Sequence, residues 1–133
     1  MKIFLSYSQR DAALAQKIAY GLRGEGLQIW LPEEELLPGD NWAERISRAL
    51  DECDSMVVLL TPNVTQSSNV QWEMGYALGN KAYSKRVIPI VVGSEAESML
   101  PWILERFQVV RIKNASDAGK AVQEITGQLL AAA

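Results

Sequence analysis

The sequence contains no histidine and a single cysteine, Cys53. Without histidine there is no Ser-His-Asp or Cys-His nucleophile system, and the commonest ligand of a catalytic zinc is missing. One cysteine forms no intrachain disulfide and no CxxC pair. Hydrolases, redox enzymes and zinc proteins of the ordinary kinds drop out together, no metal site is expected, and acid/base work falls to carboxylates, Lys, Tyr or hydroxyls. Concentrated positive charge is also lacking: 13 Lys and Arg face 16 Asp and Glu, for a net charge of −3. Binding to a phosphate backbone draws on clustered cations, so nucleic acid is not an expected partner. No apolar run approaches the length that spans a bilayer, and because the sequence opens on the strand-like run Lys2 to Tyr7 no signal peptide is expected. No membrane partner is expected, and the expected location is the cytoplasm. There is no internal repeat, low-complexity tract or linker.

What is present suits one compact domain over residues 1–133, with 48% of residues hydrophobic and 22% charged. The alanines Ala131 to Ala133 read as a frayed helix end, a cloning scar or a cut within a longer parent protein. Short β-branched runs alternate with longer amphipathic stretches, an order that predicts an α/β fold with a parallel sheet covered by helices on both faces. Five strands are expected: Ile3 to Tyr7, Leu27 to Trp30, Ser55 to Leu60, Arg86 to Val92 and Phe107 to Ile112. The unbroken run Met56-Val57-Val58-Leu59-Leu60 belongs mid-sheet, where strands are buried on both faces. Pro89 conflicts with its strand, because proline cannot donate to a ladder. Stripes at helical spacing are Leu14, Ile18 and Leu22; Trp42, Ile46, Ala49, Leu50 and Cys53; Val70, Met74, Ala77 and Leu78; and Ala118, Val122, Ile125 and Leu129. A weaker helix or turn is expected at Glu95 to Glu105.

In an open parallel sheet, ligands bind outside the carboxyl ends of the strands, where strand order reverses. This nominates Ser6 to Asp11, Leu31 to Trp42 and Thr61 to Glu73. The segment Leu31 to Asp40 holds three glutamates, two prolines and a glycine, and loops of this length in compact domains usually cover a site or make contacts. Glu33, Glu34 and Glu35 themselves read as a solvated face, and Asp40 or Asn41 as the cap of the next helix. Trp30 and Trp42 bracket the loop and equally suit the core. On a helical wheel Glu73 lies roughly 60° from Val70, at the margin of the buried stripe, with Asn69 and Tyr76 within reach of the same face. There it can bond a ribose diol and stabilise positive charge on a sugar; on position alone an ordinary solvated glutamate is the simpler reading. Trp72 projects away from the buried stripe, either under a loop or on a contact surface.

Three segments resemble one known family. Lys2-Ile3-Phe4-Leu5-Ser6-Tyr7-Ser8 with Asp11 resembles the first conserved box of Toll/interleukin-1 receptor (TIR) domains. Leu37-Pro38-Gly39-Asp40 with Trp42 resembles their second box, the BB loop. Asp54 to Pro62, leading into Ser67-Ser68-Asn69-Val70-Gln71-Trp72-Glu73, resembles the third strand and the helix that carries the catalytic glutamate of TIR enzymes. The resemblance implies a flavodoxin-like five-stranded parallel sheet of order 2-1-3-4-5. It also implies cleavage of NAD⁺ at the nicotinamide–ribosyl bond, giving nicotinamide and ADP-ribose or a cyclic isomer, with NAD⁺ as substrate and no cofactor. Glu73 is then catalytic, and Tyr7, Ser8, Gln9, Pro38, Gly39, Trp42, Ser68 and Asn69 are the expected substrate-binding residues. Asn69 stands where family enzymes often carry tryptophan. Other TIR domains are the implied partners, through Leu31 to Asp40, in a homo-oligomer or filament, and immune or antiphage signalling is the implied setting. The alternatives are a non-enzymatic TIR–TIR adaptor, or an enzyme like the nucleoside 2-deoxyribosyltransferases, whose glutamate helix Trp72 to Gly79 also resembles. A phosphorylated receiver domain fails on residues, since Ser6-Tyr7 and Thr61-Pro62 stand where acidic residues are required.

Overall fold

The computed structural model describes residues 1–63, 87–97 and 109–131. In chain order the described elements are β1 (Lys2–Ser6), a 3-10 turn at Gln9–Asp11, α1 (Ala12–Gly24), β2 (Gln28–Trp30), α2 (Pro32–Glu35) and α3 (Trp42–Glu52). They continue with β3 (Ser55–Leu60), β4 (Val87–Val92), α4 (Ser94–Glu97), β5 (Val110–Ile112), a 3-10 turn at Ala115–Asp117 and α5 (Ala118–Ala131). The strands form one sheet in the order β2-β1-β3-β4-β5, with every pairing parallel. This is the flavodoxin-like order expected. The stripe Val70 to Leu78 lies outside the described residues. Of the weaker helix expected at Glu95 to Glu105, the described part is the single turn of α4.

Period-2 alternation divides the core between the two faces of the sheet. Ile3 and Leu5 of β1, Val57 and Leu59 of β3, and Ile88 and Ile90 of β4 point to one face, where Leu14, Ile18 and Leu22 of α1 and Val122 and Ile125 of α5 cover them. Phe4, Met56, Val58, Leu60 and Val91 point to the other, against Ile46, Ala49, Leu50 and Cys53 at α3. Every residue of β3 is buried, as a central strand requires. At Gly21 helices α1 and α5 approach so closely that a Cβ there would stand 2.7 Å from Cγ2 of Val122.

The α1-to-β2 reversal follows from its glycine. Gly26 takes φ +87°, its N–H donates to the Arg23 carbonyl at 3.0 Å, and Leu27 N–H donates to the Leu22 carbonyl at 3.2 Å. These are the two bonds of a Schellman ending, which requires the left-handed residue that glycine adopts without strain. Among the described pairs, Pro89 lies where β4 is paired on one side only. It pairs with Val58 of β3, whereas the β4–β5 pairing begins one residue later, at Ile90 with Val110. Among the described pairs, β4 has no neighbour on the β5 side at Pro89, and the missing N–H interrupts no ladder there.

Candidate functional site at the switch point

Strand order reverses between β1 and β3, since the chain goes from β1 out to β2 and returns across β1 to β3. The segments leaving the carboxyl ends of these strands form the site nominated by the sequence. After β1, Tyr7 and Ser8 are buried and Gln9 is exposed. The Tyr7 side chain belongs to the apolar core beside α1. The Ser8 carbonyl accepts the Asp11 N–H at 2.8 Å, closing the 3-10 turn that presents Gln9.

After β2, the segment expected to be irregular contains one helical turn, α2, opened by Pro32 at its first position. Glu34 and Glu35 are exposed as expected, but Glu34 is not simply solvated. Arg23 at the end of α1 grips it with two parallel bonds, Nη1 to Oε1 at 3.1 Å and Nη2 to Oε2 at 3.0 Å, and Nη2 also donates to the Ile29 carbonyl at 3.0 Å. The bond to Glu34 raises the pKa of the Arg23 guanidinium above its ordinary value, with the Glu34 and Glu35 charges adding to it against a loss of solvation. Arginine is charged throughout the accessible pH range, so the guanidinium itself is a fixed positive charge here. Arg45 of α3 holds the other end of the segment. Its Nη2 donates to the Glu35 carbonyl at 2.9 Å and its Nη1 lies 3.9 Å from Oδ2 of Asp40.

Between these two arginines, Leu37-Pro38-Gly39-Asp40 folds into a tight turn. Asp40 N–H donates to the Leu37 carbonyl at 3.1 Å, and Leu37 N–H donates to Oδ2 of Asp40 at 2.8 Å. Proline at the second position and glycine with φ +91° at the third are the signature of a type II turn. Pro38 and Gly39 are exposed at its tip, and so is Leu37, at 66%. Asn41 caps α3 by accepting the Glu44 N–H at 3.3 Å, which settles the cap between Asp40 and Asn41. Trp42 is the first residue of α3; its side chain lies outside what is described. Gly39→Ala is expected to destabilise the chain by about 1–2 kcal/mol, the cost of a Cβ in the left-handed region. Urea unfolding checks it, as a lower midpoint that corresponds to this loss of free energy, and an unchanged midpoint would show that the turn does not need its glycine.

After β3, Thr61 and Asn63 meet Asp11 from the β1 side. The Thr61 hydroxyl donates to Oδ2 of Asp11 at 2.6 Å, and Asn63 Nδ2 donates to Oδ1 at 2.9 Å. Thr61 Oγ1 in turn accepts the Asn63 N–H at 3.1 Å. Sequence reasoning nominated the segments but missed this bridge. Its only local sign is a threonine and an asparagine just past a strand end. Glu73, Ser68 and Asn69 lie outside the described residues. A separate groove at the carboxyl ends of β4 and β5 is lined by Gly93, Ser94, Arg111, Lys113, Asp117 and Lys120, none of them nominated. Among the described residues there is no cluster of acidic, Cys or His side chains fit to hold a metal.

A TIR domain family model matches residues 3–126. The chain belongs to the TIR domain family. Its relatives include Toll-like receptor 6 of Homo sapiens, 28% identical over 101 residues, which cover 74% of this chain and 13% of the receptor. The 2' cyclic ADP-D-ribose synthase BtTIR of Bacteroides thetaiotaomicron is 23% identical over 86 residues, covering 64% of this chain and 30% of that protein. This TIR domain therefore spans less than a third of either relative. Among solved structures, the TIR domains of the activated Roq1 resistosome superpose with a TM-score of 0.76 at 16% identity, covering 96% of this chain and 98% of that one. The CMP N-glycosidase BcmB of Clostridium botulinum gives a TM-score of 0.65 at 17% identity, covering 96% and 99%. Both likenesses are of fold. Among the described residues, no helix of this TIR domain is long and apolar enough to cross a membrane.

Proposed function

We propose that this TIR domain cleaves NAD⁺ at the nicotinamide–ribosyl bond, with Glu73 as the catalytic carboxylate and NAD⁺ as substrate. The observation that carries this reading is that the Ser8-Gln9 turn, the segment of the Pro38-Gly39 turn, held by Arg23 and Arg45, and the exit of β3 all follow the carboxyl ends of strands at the switch point, with Glu73 after β3 in the sequence. Family membership alongside a cyclic ADP-ribose synthase supports it. The chemistry suits a chain without histidine. The C1′–N bond breaks with its electron pair passing to the pyridinium nitrogen, so nicotinamide leaves neutral and needs no general acid. A carboxylate stabilises the positive charge left on the ribose. Water then adds at C1′ and releases a proton, giving ADP-ribose; attack by a nucleophile within the same molecule gives a cyclic isomer. Tyr7, Ser8, Gln9, Pro38, Gly39, Trp42, Ser68 and Asn69 are the proposed substrate contacts. Self-association through Leu31–Asp40, in a cytoplasmic immune or antiphage setting, is the proposed mode of activation.

The likeness to Toll-like receptor 6 favours a second reading, a non-enzymatic adaptor that works by association alone. The fold shared with a CMP N-glycosidase keeps a nucleoside or nucleotide N-glycosidic bond as the competing substrate class. Presenting NAD⁺, CMP and a 2′-deoxynucleoside in parallel and measuring the released base separates these. The NAD⁺ reading expects nicotinamide alone. Release of cytosine or another base with NAD⁺ untouched transfers the chemistry to the competing class, and association without release from any of the three supports the adaptor.

A further inference from the structure

Both oxygens of the Asp11 carboxylate are bonded to side chains leaving a different strand. Oδ2 takes the Thr61 hydroxyl proton and Oδ1 takes the Asn63 amide. Thr61 is only 4% exposed, and its hydroxyl both donates to Asp11 and accepts the Asn63 backbone N–H. The hydroxyl both donates and accepts within the bridge, and the carboxylate holds a donor on each oxygen. What the arrangement does is mechanical. It ties the turn after β1 to the chain leaving β3, across the crevice where strand order reverses, and it anchors both the side chain and the backbone N–H of Asn63.

We propose that Asp11 is a positioning residue of the TIR site, fixing the exit of β3 at Thr61 and Asn63, ahead of Glu73 in the sequence. This rests on the NAD⁺-cleaving reading above. Asn63 precedes Glu73 by ten positions in the sequence, and a departure set by three hydrogen bonds is a stiffer boundary than an unbridged loop. Bonds to an ionised carboxylate are roughly twice as strong as neutral ones. A merely stabilising role can be separated from positioning, because the same strand pair carries a second aspartate at its other end. Asp54, ahead of β3, accepts the Lys2 N–H at 2.9 Å and donates its own N–H to the Lys2 carbonyl at 2.7 Å. It joins β1 and β3 at their amino ends, far from the crevice.

The test measures nicotinamide release for the wild type, Asp11→Ala, Asp11→Asn, Thr61→Val and Asp54→Ala, together with the urea midpoint of each. Asp11→Ala is expected to lower kcat at least ~10-fold with KM changed far less, since small misplacements of a catalytic group cost ~10- to 100-fold. Asp11→Asn recovers most of the rate, because its amide still accepts from Asn63 and can donate to Thr61 Oγ1. Thr61→Val falls between the two. Asp54→Ala, which removes the side-chain bond from the Lys2 N–H and leaves the backbone bond in place, keeps its turnover within about twofold while its midpoint falls. Equal turnover by Asp11→Ala and wild type, or equal losses for Asp11→Ala and Asp54→Ala, would overturn the proposal while leaving the NAD⁺ reading intact. Should the wild type release no nicotinamide, that reading fails first, and amide exchange decides on Asp11. The Asn63 N–H is expected to exchange at least ~10-fold faster in Asp11→Ala while the β3 amides keep their protection; unchanged exchange at Asn63 would remove Asp11 from any positioning role.

Discussion

Trp30→Ala is expected to lower folding stability by about 3–5 kcal/mol, the range for truncating a large core aromatic. The ring is 7% exposed and stacks on Phe4, with centroids 4.9 Å apart and planes 16° from parallel. The two residues are direct cross-strand partners, Phe4 on β1 and Trp30 on β2. The stack contributes about 0.5–1.5 kcal/mol beyond the buried area, and the rest is lost transfer energy plus the cavity left against Ile46 and Leu50. Because Trp30 ends β2, that cavity opens directly before the loop carrying Pro38 and Gly39. The measurement is urea unfolding, read as a lower midpoint at constant slope. Trp30→Phe keeps a ring on Phe4 and is expected to recover more than half of the loss. A loss below about 1 kcal/mol for Trp30→Ala would place the ring outside the core.

Glu73→Gln is expected to lower kcat for nicotinamide release by about 100- to 1000-fold, with KM changed far less. Removing one preorganised electrostatic stabiliser of a transition state typically costs this much. Glutamine keeps the size of the side chain and an acceptor for a ribose hydroxyl, but it removes the negative charge that opposes the cationic sugar. An interaction made chiefly in the transition state appears in kcat and not in KM. If KM rose in proportion while kcat held, Glu73 would be a binding residue, and the charge on the reacting sugar would have to be met elsewhere.

The architecture was legible because its signals are local. The apolar run Met56 to Leu60 announces a central strand, and Leu14, Ile18 and Leu22 announce the helix face that covers it, since burial imposes period 2 on a strand and period 3.6 on a helix. The segment Leu31 to Asp40 was legible as a loop, whereas the helical turn at Pro32–Glu35 and the type II turn at Pro38-Gly39 emerge only in the structure. The grips of Arg23 on Glu34 and of Asp11 on Thr61 and Asn63 were not legible. They join positions 11 residues apart in one case and 50 and 52 in the others, and a single sequence carries no period that links such partners. Pro89 misled in the opposite sense: its conflict with a central strand is real for a ladder paired along its whole length, whereas the described β5 pairing starts one residue later. Glu73, Asn69 and Ser68 rest on the family resemblance and on the chemistry argued from it.

The most direct test of the account is nicotinamide release from NAD⁺ by the wild-type TIR domain and by Glu73→Gln, side by side, at protein concentrations raised until the chain self-associates. The account predicts release by the wild type that climbs faster than protein concentration as association sets in, with Glu73→Gln associating equally and releasing almost nothing. Equal release by the two proteins, or association of the wild type without any release, would contradict it.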